Sequence, residues 1–174
     1  MTSDRDQTAF RIRPGQPSDL AALLPLERSI PTAPHWNEAD YRHCFEASED
    51  SLIRRQLFIA ESSTTHALQG FAIGKLVSIP IGGHLESEVE LETIAVATSA
   101  RRLGIGLFLC SAVRDWAVNC GATSIDLEVR RGSSPAIALY RQIGFTPYAT
   151  RSNYYRDPTE DAILMRLPLN SGTL

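Results

Sequence analysis

The sequence predicts a single α/β (α+β) domain with about six or seven strands and four helices. The length of 174 residues suits one domain with a core of its own. Hydrophobic residues make up 43% and charged residues 21%, a balance typical of globular rather than disordered chains. Alternating apolar segments are interleaved with segments of helical spacing, and the chain contains no repeat, linker or low-complexity stretch.

The first half of the chain alternates between strand and helix signals. Phe10 to Arg13 alternates apolar and charged residues, as a half-buried strand does. Pro17-Ser18-Asp19 supplies a helix start, and Asn37 is a candidate N-cap for a second helix. The elements predicted here are strands at 10–13, 56–60, 68–79 and 89–96, helices at 20–30 and 37–47, and a loop at 81–84.

A long amphipathic helix dominates the second half. Apolar residues recur at helical spacing from Ile105 to Cys120, and Gly121 stands where a C-terminal cap belongs. The further predictions are a strand at 124–129, a helix at 136–142 capped by Gly144, and strands at 145–148 and 162–167. We expect the domain to span 10–168, with tails at 1–9 and 169–174.

Composition excludes several classes of protein. The formal net charge of −3 disfavours direct binding of nucleic acid, which requires a positive surface. No stretch approaches the roughly 20 apolar residues of a membrane span, and the N-terminus does not resemble a signal peptide. Cys44, Cys110 and Cys120 form no CxxC pair, so neither a disulfide framework nor a metal site is expected. These features predict a cytoplasmic protein.

The most informative local feature is a glycine-containing turn between a strand and a helix. A predicted strand ends at Val96, and Arg101-x-x-Gly104-x-Gly106 opens the long helix. A helix N-terminus presents free N–H groups that suit a pyrophosphate, and glycine lets the backbone approach an anion closely. The pattern lacks the third glycine of the dinucleotide fingerprint and the Gly-Lys-Ser/Thr of a P-loop. From the residues alone, a purely structural turn is an equal alternative.

This turn resembles the acyl-CoA signature Q/R-x-x-G-x-G/A of the GNAT superfamily of N-acetyltransferases. The segments Leu127–Arg130, Ala136–Tyr140 and Ile143–Phe145 resemble its RimI-type branch, the bacterial ribosomal-protein alanine acetyltransferases. Arg151–Tyr155 and Asp161–Met165 extend the resemblance, which covers roughly residues 10–168.

The resemblance implies a GNAT fold and acetyl-CoA as cosubstrate. In that fold a mixed, mostly antiparallel sheet splays open beside the turn, and pantetheine lies in the splay like an extra strand. The residues that the resemblance assigns to the cofactor are Ile94, Ala95 and Val96 for pantetheine, and the N–H groups of Arg101, Arg102, Leu103, Gly104, Ile105, Gly106 and Leu107 for the pyrophosphate.

Two residues are candidates for acid–base chemistry. Strand alternation points Glu128 away from the face of Leu127 and Val129, into a cleft where apolar surroundings would raise its pKa. Tyr140 lies on the short helix after the splay, where its phenol could protonate the leaving sulfur. A solvent-exposed edge glutamate and a core tyrosine are the alternatives. The resemblance favours Glu128 as general base and Tyr140 as general acid.

Other positions are expected to contact cofactor or acceptor. The family has asparagine where this chain has Ser133, whose hydroxyl could contact the cofactor or cap the helix before Pro135. The resemblance places the acceptor entrance near Tyr154 and Tyr155, together with Arg151 and Asn153; a Tyr pair covering the sheet edge is the alternative.

Three further residues have a functional and a structural interpretation. Glu92, like Glu90, could bind the acceptor amine or simply face solvent. His35, between the first two helices, is more typical of a structural residue.

Three functions fit this pattern. The first is acetylation of a protein N-terminal α-amine, possibly of a ribosomal protein, by direct attack in a ternary complex. No cysteine lies in a site motif, which disfavours an acyl-cysteine route. The second is a GNAT enzyme for a small amine or a lysine side chain, because the fold does not determine the acceptor. The third is a silent CoA-binding module, which the presence of both Glu128 and Tyr140 disfavours. A monomer or weak dimer is expected.

Overall fold

The computed structural model describes residues 9–31, 33, 35–48 and 50–169, and it contains one mixed seven-stranded sheet. The strands are β1 (Phe10–Pro14), β2 (Ile53–Ser62), β3 (Leu68–Ile81), β4 (His84–Val96), β5 (Ser124–Arg130), β6 (Thr146–Tyr155) and β7 (Glu160–Pro168). The α-helices of the described residues are α1 (Leu20–Arg28), α2 (Glu38–Arg42), α3 (Ile105–Asn119) and α4 (Ser134–Ile143), with 3₁₀ turns at Pro17–Asp19 and Thr98–Ala100.

The sheet is antiparallel except where β4 meets β5. Its strand order is β1-β2-β3-β4-β5-β7-β6. The β4–β5 pairing is parallel and comprises only Val89 with Ile125 and Glu90 with Asp126. Beyond these pairs the two strands part, so the second half of β4 has β3 on one side and a cleft on the other. The expected mixed, mostly antiparallel sheet with a splay is therefore confirmed.

Helices cover both faces of the sheet. Helices α3 and α4 pack on one face, in a core that includes Leu109, Val113 and Ile137. Helices α1 and α2 pack on the other, where Leu23 and Tyr41 are fully buried in a second core. Cys110 in α3 is buried, whereas Cys120, the last residue of the predicted apolar stripe, is the C-cap of α3 and is only half-buried.

The predicted N-cap of α2 is confirmed, but the helix is shorter than predicted. The Asn37 side chain accepts the Asp40 N–H, and the Asp40 carboxylate accepts the Asn37 N–H. The helix ends at Arg42, and the N–H groups of Cys44 and Phe45 bond three residues back. These i to i−3 bonds tighten the chain into turns.

Several strands are longer than their patterns predict; β2, for example, spans Ile53–Ser62 rather than 56–60. The expected loop at 81–84 is a two-residue turn at Gly82 and Gly83, with φ of 56° and 85°, so β4 begins at His84 rather than Val89. Strand β6 continues to Tyr155 because it pairs with β7, although its side chains are mostly exposed and lack apolar alternation.

Most of the predicted tails, residues 1–8 and 170–174, lie outside the described residues. Within the described part, no helix has the length and apolar character needed to cross a membrane. The same residues contain no group of three or more His, Cys, Asp or Glu side chains suited to a metal ion.

Candidate active site

The divergence of β4 and β5 creates a cleft with two adjoining cavities. The first, the splay cavity, measures about 330 Å³ and lies between β4, β5 and α4. The second, the β6-side cavity, measures about 470 Å³ and opens toward β6. Glu128 lines both cavities. Several residues that we predicted to bind cofactor or acceptor, or to act in catalysis, line the splay cavity. They are Glu92, Ile94, Glu128, Ser133, Tyr140 and Tyr155.

The glycine turn leads from the end of β4 into the N-terminus of α3. Gly104 is the N-cap with φ of 81°, and Arg102 also has a positive φ of 68°. The first N–H groups of α3, like those of any helix, lack intrahelical partners, and these left-handed residues lead the chain into that end of the helix. Arg101 and Arg102 are exposed beside it. This geometry is compatible with the predicted binding of an anion.

Two details refine this prediction. The Arg101 N–H already faces the Thr98 carbonyl oxygen at 3.5 Å, so it is not a free donor like those of the first turn of α3. At Gly106, a Cβ atom would lie 3.1 Å from Leu139 Cδ2. Gly106 therefore also serves the close packing of α3 against α4.

Glu128 occupies the centre of the cleft. Its neighbours Leu127 and Val129 are buried, and its own side chain, 23% exposed, faces the opposite way, as alternation predicted. The prediction that Glu128 has apolar surroundings is wrong, because Arg151 Nη1 lies 2.6 Å from Glu128 Oε1. The pKa of Tyr154 is raised, first of all by its interaction with the Glu128 carboxylate. Glu128 is thus paired with a cation at one of its two oxygens.

Tyr140 projects from α4 into the splay cavity while remaining almost fully buried. Its ring packs edge-on against Phe145 at 5.8 Å, so the tyrosine anchors α4 to the sheet and lines the cleft as well. Burial raises the pKa of Tyr140 above its ordinary value. A phenol in this environment keeps its proton at neutral pH, as a proton donor must.

Tyr154 and Tyr155 lie at the end of β6 and face different parts of the cleft. Tyr154 lines the β6-side cavity, and Arg151 lies 5.4 Å from its ring centre. Tyr155 lines the splay cavity under Arg130, which lies 4.3 Å from the ring centre. Burial, followed by the charge of Glu128, raises the pKa of Tyr155 to about 12. Both tyrosines therefore line the cleft, as predicted.

Ser133 occupies the N-cap position of α4 and lines the splay cavity. Its carbonyl oxygen accepts the Ile137 N–H at 3.0 Å, but its side chain makes no capping hydrogen bond. The expected side-chain cap is therefore wrong. The hydroxyl is left at the cavity wall, where a cofactor contact is compatible with its position.

Glu92 and His35 have structural partners. Arg55 donates from Nε and Nη2 to the two Glu92 carboxylate oxygens at 2.7 and 2.9 Å. This fork occupies both oxygens, so the structure disfavours Glu92 as the carboxylate that binds an acceptor amine. Nε2 of His35 lies 3.2 Å from the Ile30 carbonyl oxygen, in keeping with its expected structural role.

Sequence reasoning missed part of the β6-side cavity. Glu88, Asp126 and Tyr148 line it together with Glu128 and Tyr154. Asp126 lies two residues before Glu128, so strand alternation was a usable signal for placing both on one face. No comparable signal marked Tyr148, because its position depends on the register of β6 against β7.

The fold and the cleft suit a transferase that uses an acyl-CoA. Residues 21–145 match the model of the Acetyltransferase (GNAT) family, and the chain belongs to that family. The chain is accordingly an acetyl-CoA-dependent N-acetyltransferase. It is 37% identical over 99 residues to the [ribosomal protein bS18]-alanine N-acetyltransferase of Escherichia coli K12, covering 56% of this chain and 67% of that protein. It is 32% identical over 142 residues to the Salmonella typhimurium protein of the same name, covering 78% and 89%.

Solved structures agree with this assignment. Naa20 of Chaetomium thermophilum, in complex with a bisubstrate analogue, superposes with a TM-score of 0.76 at 29% identity, covering 92% of this chain and 87% of that one. The ribosomal-protein-S18-alanine N-acetyltransferase of Escherichia coli superposes with a TM-score of 0.71 at 28% identity, covering 95% and 98%. Both similarities extend over nearly the whole domain.

Proposed function

We propose that this protein transfers the acetyl group of acetyl-CoA to the N-terminal α-amine of a protein. The observation that carries the proposal is the position of Glu128, which lines both the splay cavity and the β6-side cavity. The thioester would enter through the first cavity and the amine through the second, so that they meet at one carboxylate. The bacterial relatives reported above are named alanine N-acetyltransferases of a ribosomal protein, which supports a protein alanine as the acceptor.

Three parts of the chain would hold acetyl-CoA. The first turn of α3, from Ile105, would bind the pyrophosphate, with Arg101 and Arg102 adding positive charge. The backbone of Ile94–Val96, which has no β5 partner, would pair with pantetheine. Ser133 would contact the cofactor from the start of α4. The sulfur would then lie in the splay cavity near Tyr140.

Glu128 and Tyr140 would divide the proton transfers. As the amine nitrogen forms its bond to the thioester carbonyl carbon, Glu128 takes the amine proton, directly or through one water molecule. The carbon–sulfur bond breaks, and Tyr140 gives its proton to the departing sulfur. The products are an amide and free CoA, and the proton on Glu128 returns through solvent to Tyr140. No covalent enzyme intermediate is required.

An α-amine is a suitable acceptor for this apparatus. Its reference pKa is roughly 7.7–8.0, so a useful fraction is neutral near pH 7, whereas a lysine amine at about 10.4 is almost fully protonated. Glu128 therefore needs to remove only the proton released during the attack. A ribosomal-protein N-terminus beginning with alanine is the acceptor we favour.

The experiment compares acceptors under one assay of CoA release. A peptide beginning with alanine and containing one internal lysine is tested beside the same peptide with a blocked N-terminus and beside free polyamines. We expect CoA release only with the free N-terminus, and fragment masses that locate the acetyl group on alanine. Equal or faster release with the blocked peptide or with polyamines would assign the chain to another acceptor. No release with any amine would indicate a silent CoA-binding module.

We further infer that the protein works in the cytoplasm as a monomer or weak dimer. Its three unpaired cysteines support a reducing compartment. Light scattering of the purified protein over a range of concentrations measures the oligomeric state, and a stable higher oligomer would contradict the inference.

A further inference from the structure

One buried carboxylate, that of Glu27, has no role in the acetyl transfer described above. Glu27, near the end of α1, is completely buried. Its Oε1 accepts the Trp36 N–H at 2.9 Å. Its Oε2 is buried too and has no hydrogen-bond partner among the described residues. Burying a carboxylate is costly, so this position calls for a role that a leucine would not fill.

Trp36 ends the segment that borders the cleft. This segment joins α1 to α2, and its Pro31 and Ala33 line the splay cavity opposite β4. Inside the segment, the Ala33 N–H bonds to the Ile30 carbonyl oxygen at 3.0 Å. The Glu27–Trp36 bond ties the far end of the segment back to α1, across nine residues. It therefore ties the backbone at Trp36 to α1.

The indole of Trp36 lies near Arg55 on β2. The Arg55 guanidinium carbon lies 6.0 Å from the indole centre, and the Arg55 fork holds the Glu92 carboxylate on β4. The ring of Tyr41 packs against Trp36 at 5.4 Å. Trp36 thus lies between Glu27, which accepts its backbone N–H, and Arg55, which holds Glu92 at the splay cavity.

We propose that Glu27 is a positioning residue for the acceptor: through Trp36, it sets where Pro31 and Ala33 lie at the splay cavity relative to Glu92 on β4. The inference rests on the proposed function, in which the acceptor amine meets the thioester in this cleft. Glu27 touches no reacting atom. Its loss should loosen the acceptor's surroundings and leave the α3 turn, which holds the pyrophosphate, unaffected.

Three substitutions separate the hydrogen bond from the charge. Glu27→Gln keeps a side-chain oxygen that can accept the Trp36 N–H. Glu27→Leu fills the same space without an acceptor, and Glu27→Asp keeps the charge but withdraws the oxygen by one methylene. The matched control is Glu38→Gln on α2, where the exposed carboxylate pairs with Arg42.

Steady-state kinetics should show a selective effect on the acceptor. We expect Glu27→Leu and Glu27→Asp to raise KM for the acceptor peptide about tenfold, the scale of one lost buried hydrogen bond, with a smaller change in kcat. The dissociation constant for acetyl-CoA, measured by calorimetry, should stay within about twofold in every variant, since the hydrogen bond is remote from α3. Glu27→Gln and Glu38→Gln should resemble the parent.

A second measurement does not require turnover. The chain has two tryptophans, so a Trp116→Phe background makes Trp36 the only indole. In that background Glu27→Leu should shift Trp36 emission to the red and increase its quenching by acrylamide. If no amine is acetylated at all, the proposed function fails and this optical measurement still tests the role of Glu27 in the loop.

Specific outcomes would overturn the inference. If Glu27→Leu does not fold, as judged by circular dichroism, Glu27→Asp provides the test. If a folded variant has an unchanged KM for the acceptor and unchanged Trp36 emission, Glu27 does not position Pro31 and Ala33. An equal rise in the dissociation constant for acetyl-CoA would indicate general loosening of the fold and would overturn it too.

Discussion

Glu128 is not a free carboxylate in the resting protein. Arg151 occupies one of its oxygens, which leaves the other for an amine or a water molecule. The ion pair also fixes the direction in which the carboxylate points, at the boundary between the two cavities. A base in this position needs only a short proton path, and its removal should affect the chemical step more than binding of the cofactor.

We predict that Glu128→Gln lowers kcat on the order of 100-fold, the usual scale for general-base catalysis, while the dissociation constant for acetyl-CoA changes little. Turnover is measured by CoA release and affinity by calorimetry. Glu86→Gln, an exposed carboxylate on the β3–β4 hairpin, serves as the control and should match the parent. Parental activity of Glu128→Gln throughout the neutral pH range would remove Glu128 as the base.

Tyr140 has the opposite requirement, because it must hold a proton until the sulfur leaves. Burial penalises the phenolate, so the folded-state pKa lies above the ordinary value of about 10. We predict that Tyr140→Phe lowers kcat about tenfold or more. In the parent protein, ionisation of Tyr140 should cause no loss of kcat below about pH 10. A decline of kcat near neutral pH that disappears in Tyr140→Phe would contradict this assignment.

At the scale of elements, the turn before α3 depends on backbone conformation as much as on side-chain size. Gly104 has φ of 81°, a region that β-branched residues rarely adopt. A Cβ atom there would meet only Phe108, at 3.8 Å, so the fold itself leaves room for it. A substitution at Gly104 should therefore disturb the backbone of the turn and weaken binding of the anion, rather than disrupt packing of the core.

We predict that Gly104→Val raises the dissociation constant for acetyl-CoA at least about tenfold, because left-handed valine costs of order 1–3 kcal/mol and its bulk faces the anion. Gly121→Val is the matched control. Gly121 also has a positive φ, of 71°, but it follows the opposite end of α3, with no atom within 4 Å of an added Cβ. Both variants should lose thermal stability, and only Gly104→Val should lose affinity. Equal affinities would remove the turn from the cofactor site.

At the scale of the whole molecule, the edge strand β1 is held to the sheet by charge. Glu61 on β2 is buried, and Arg13 Nε and Arg11 Nη2 each lie 2.5 Å from one of its oxygens. Hydrogen bonds from Arg13, and then from His66 and Arg11, lower the pKa of Glu61 to about 2. Arg13 also lowers the pKa of Asp19, just before α1. Acid should therefore weaken the attachment of β1 and α1 together.

The sign of the pH dependence follows from these lowered pKa values. A carboxyl with a depressed folded-state pKa stabilises the fold above its unfolded value of about 4.5 and loses that contribution as the pH falls toward about 2. We predict that the free energy of unfolding falls in this window by about 1.4 kcal/mol per pH unit for Glu61 alone. Chemical denaturation at a series of pH values measures it. Glu61→Gln should be less stable near neutral pH and show a shallower acid slope; a parallel slope would contradict the prediction.

Several features could be predicted from residues close together in the chain. The glycine turn, the strand that carries Glu128 and the helix that carries Tyr140 each depend on spacing within one element, so the pattern predicted them. The Asn37 cap is equally local. The lengths of the elements were harder to predict. Strand β6, for example, extends to Tyr155 because it pairs with β7, and its own hydrophobic pattern does not indicate this.

The amino-acid sequence by itself determined the fold class and the elements that carry the glycine turn, Glu128 and Tyr140, because spacing and residue type within single elements specify them. Only the tertiary structure decided how the charges pair: Arg151 with Glu128, Arg55 with Glu92, and the buried Glu27 with the Trp36 backbone. These partners are separated along the chain, in two cases on different strands, and their meeting depends on register and packing. Side-chain pairing of this kind is a property of the assembled sheet and helices, since no local pattern encodes which opposite charge will lie within reach.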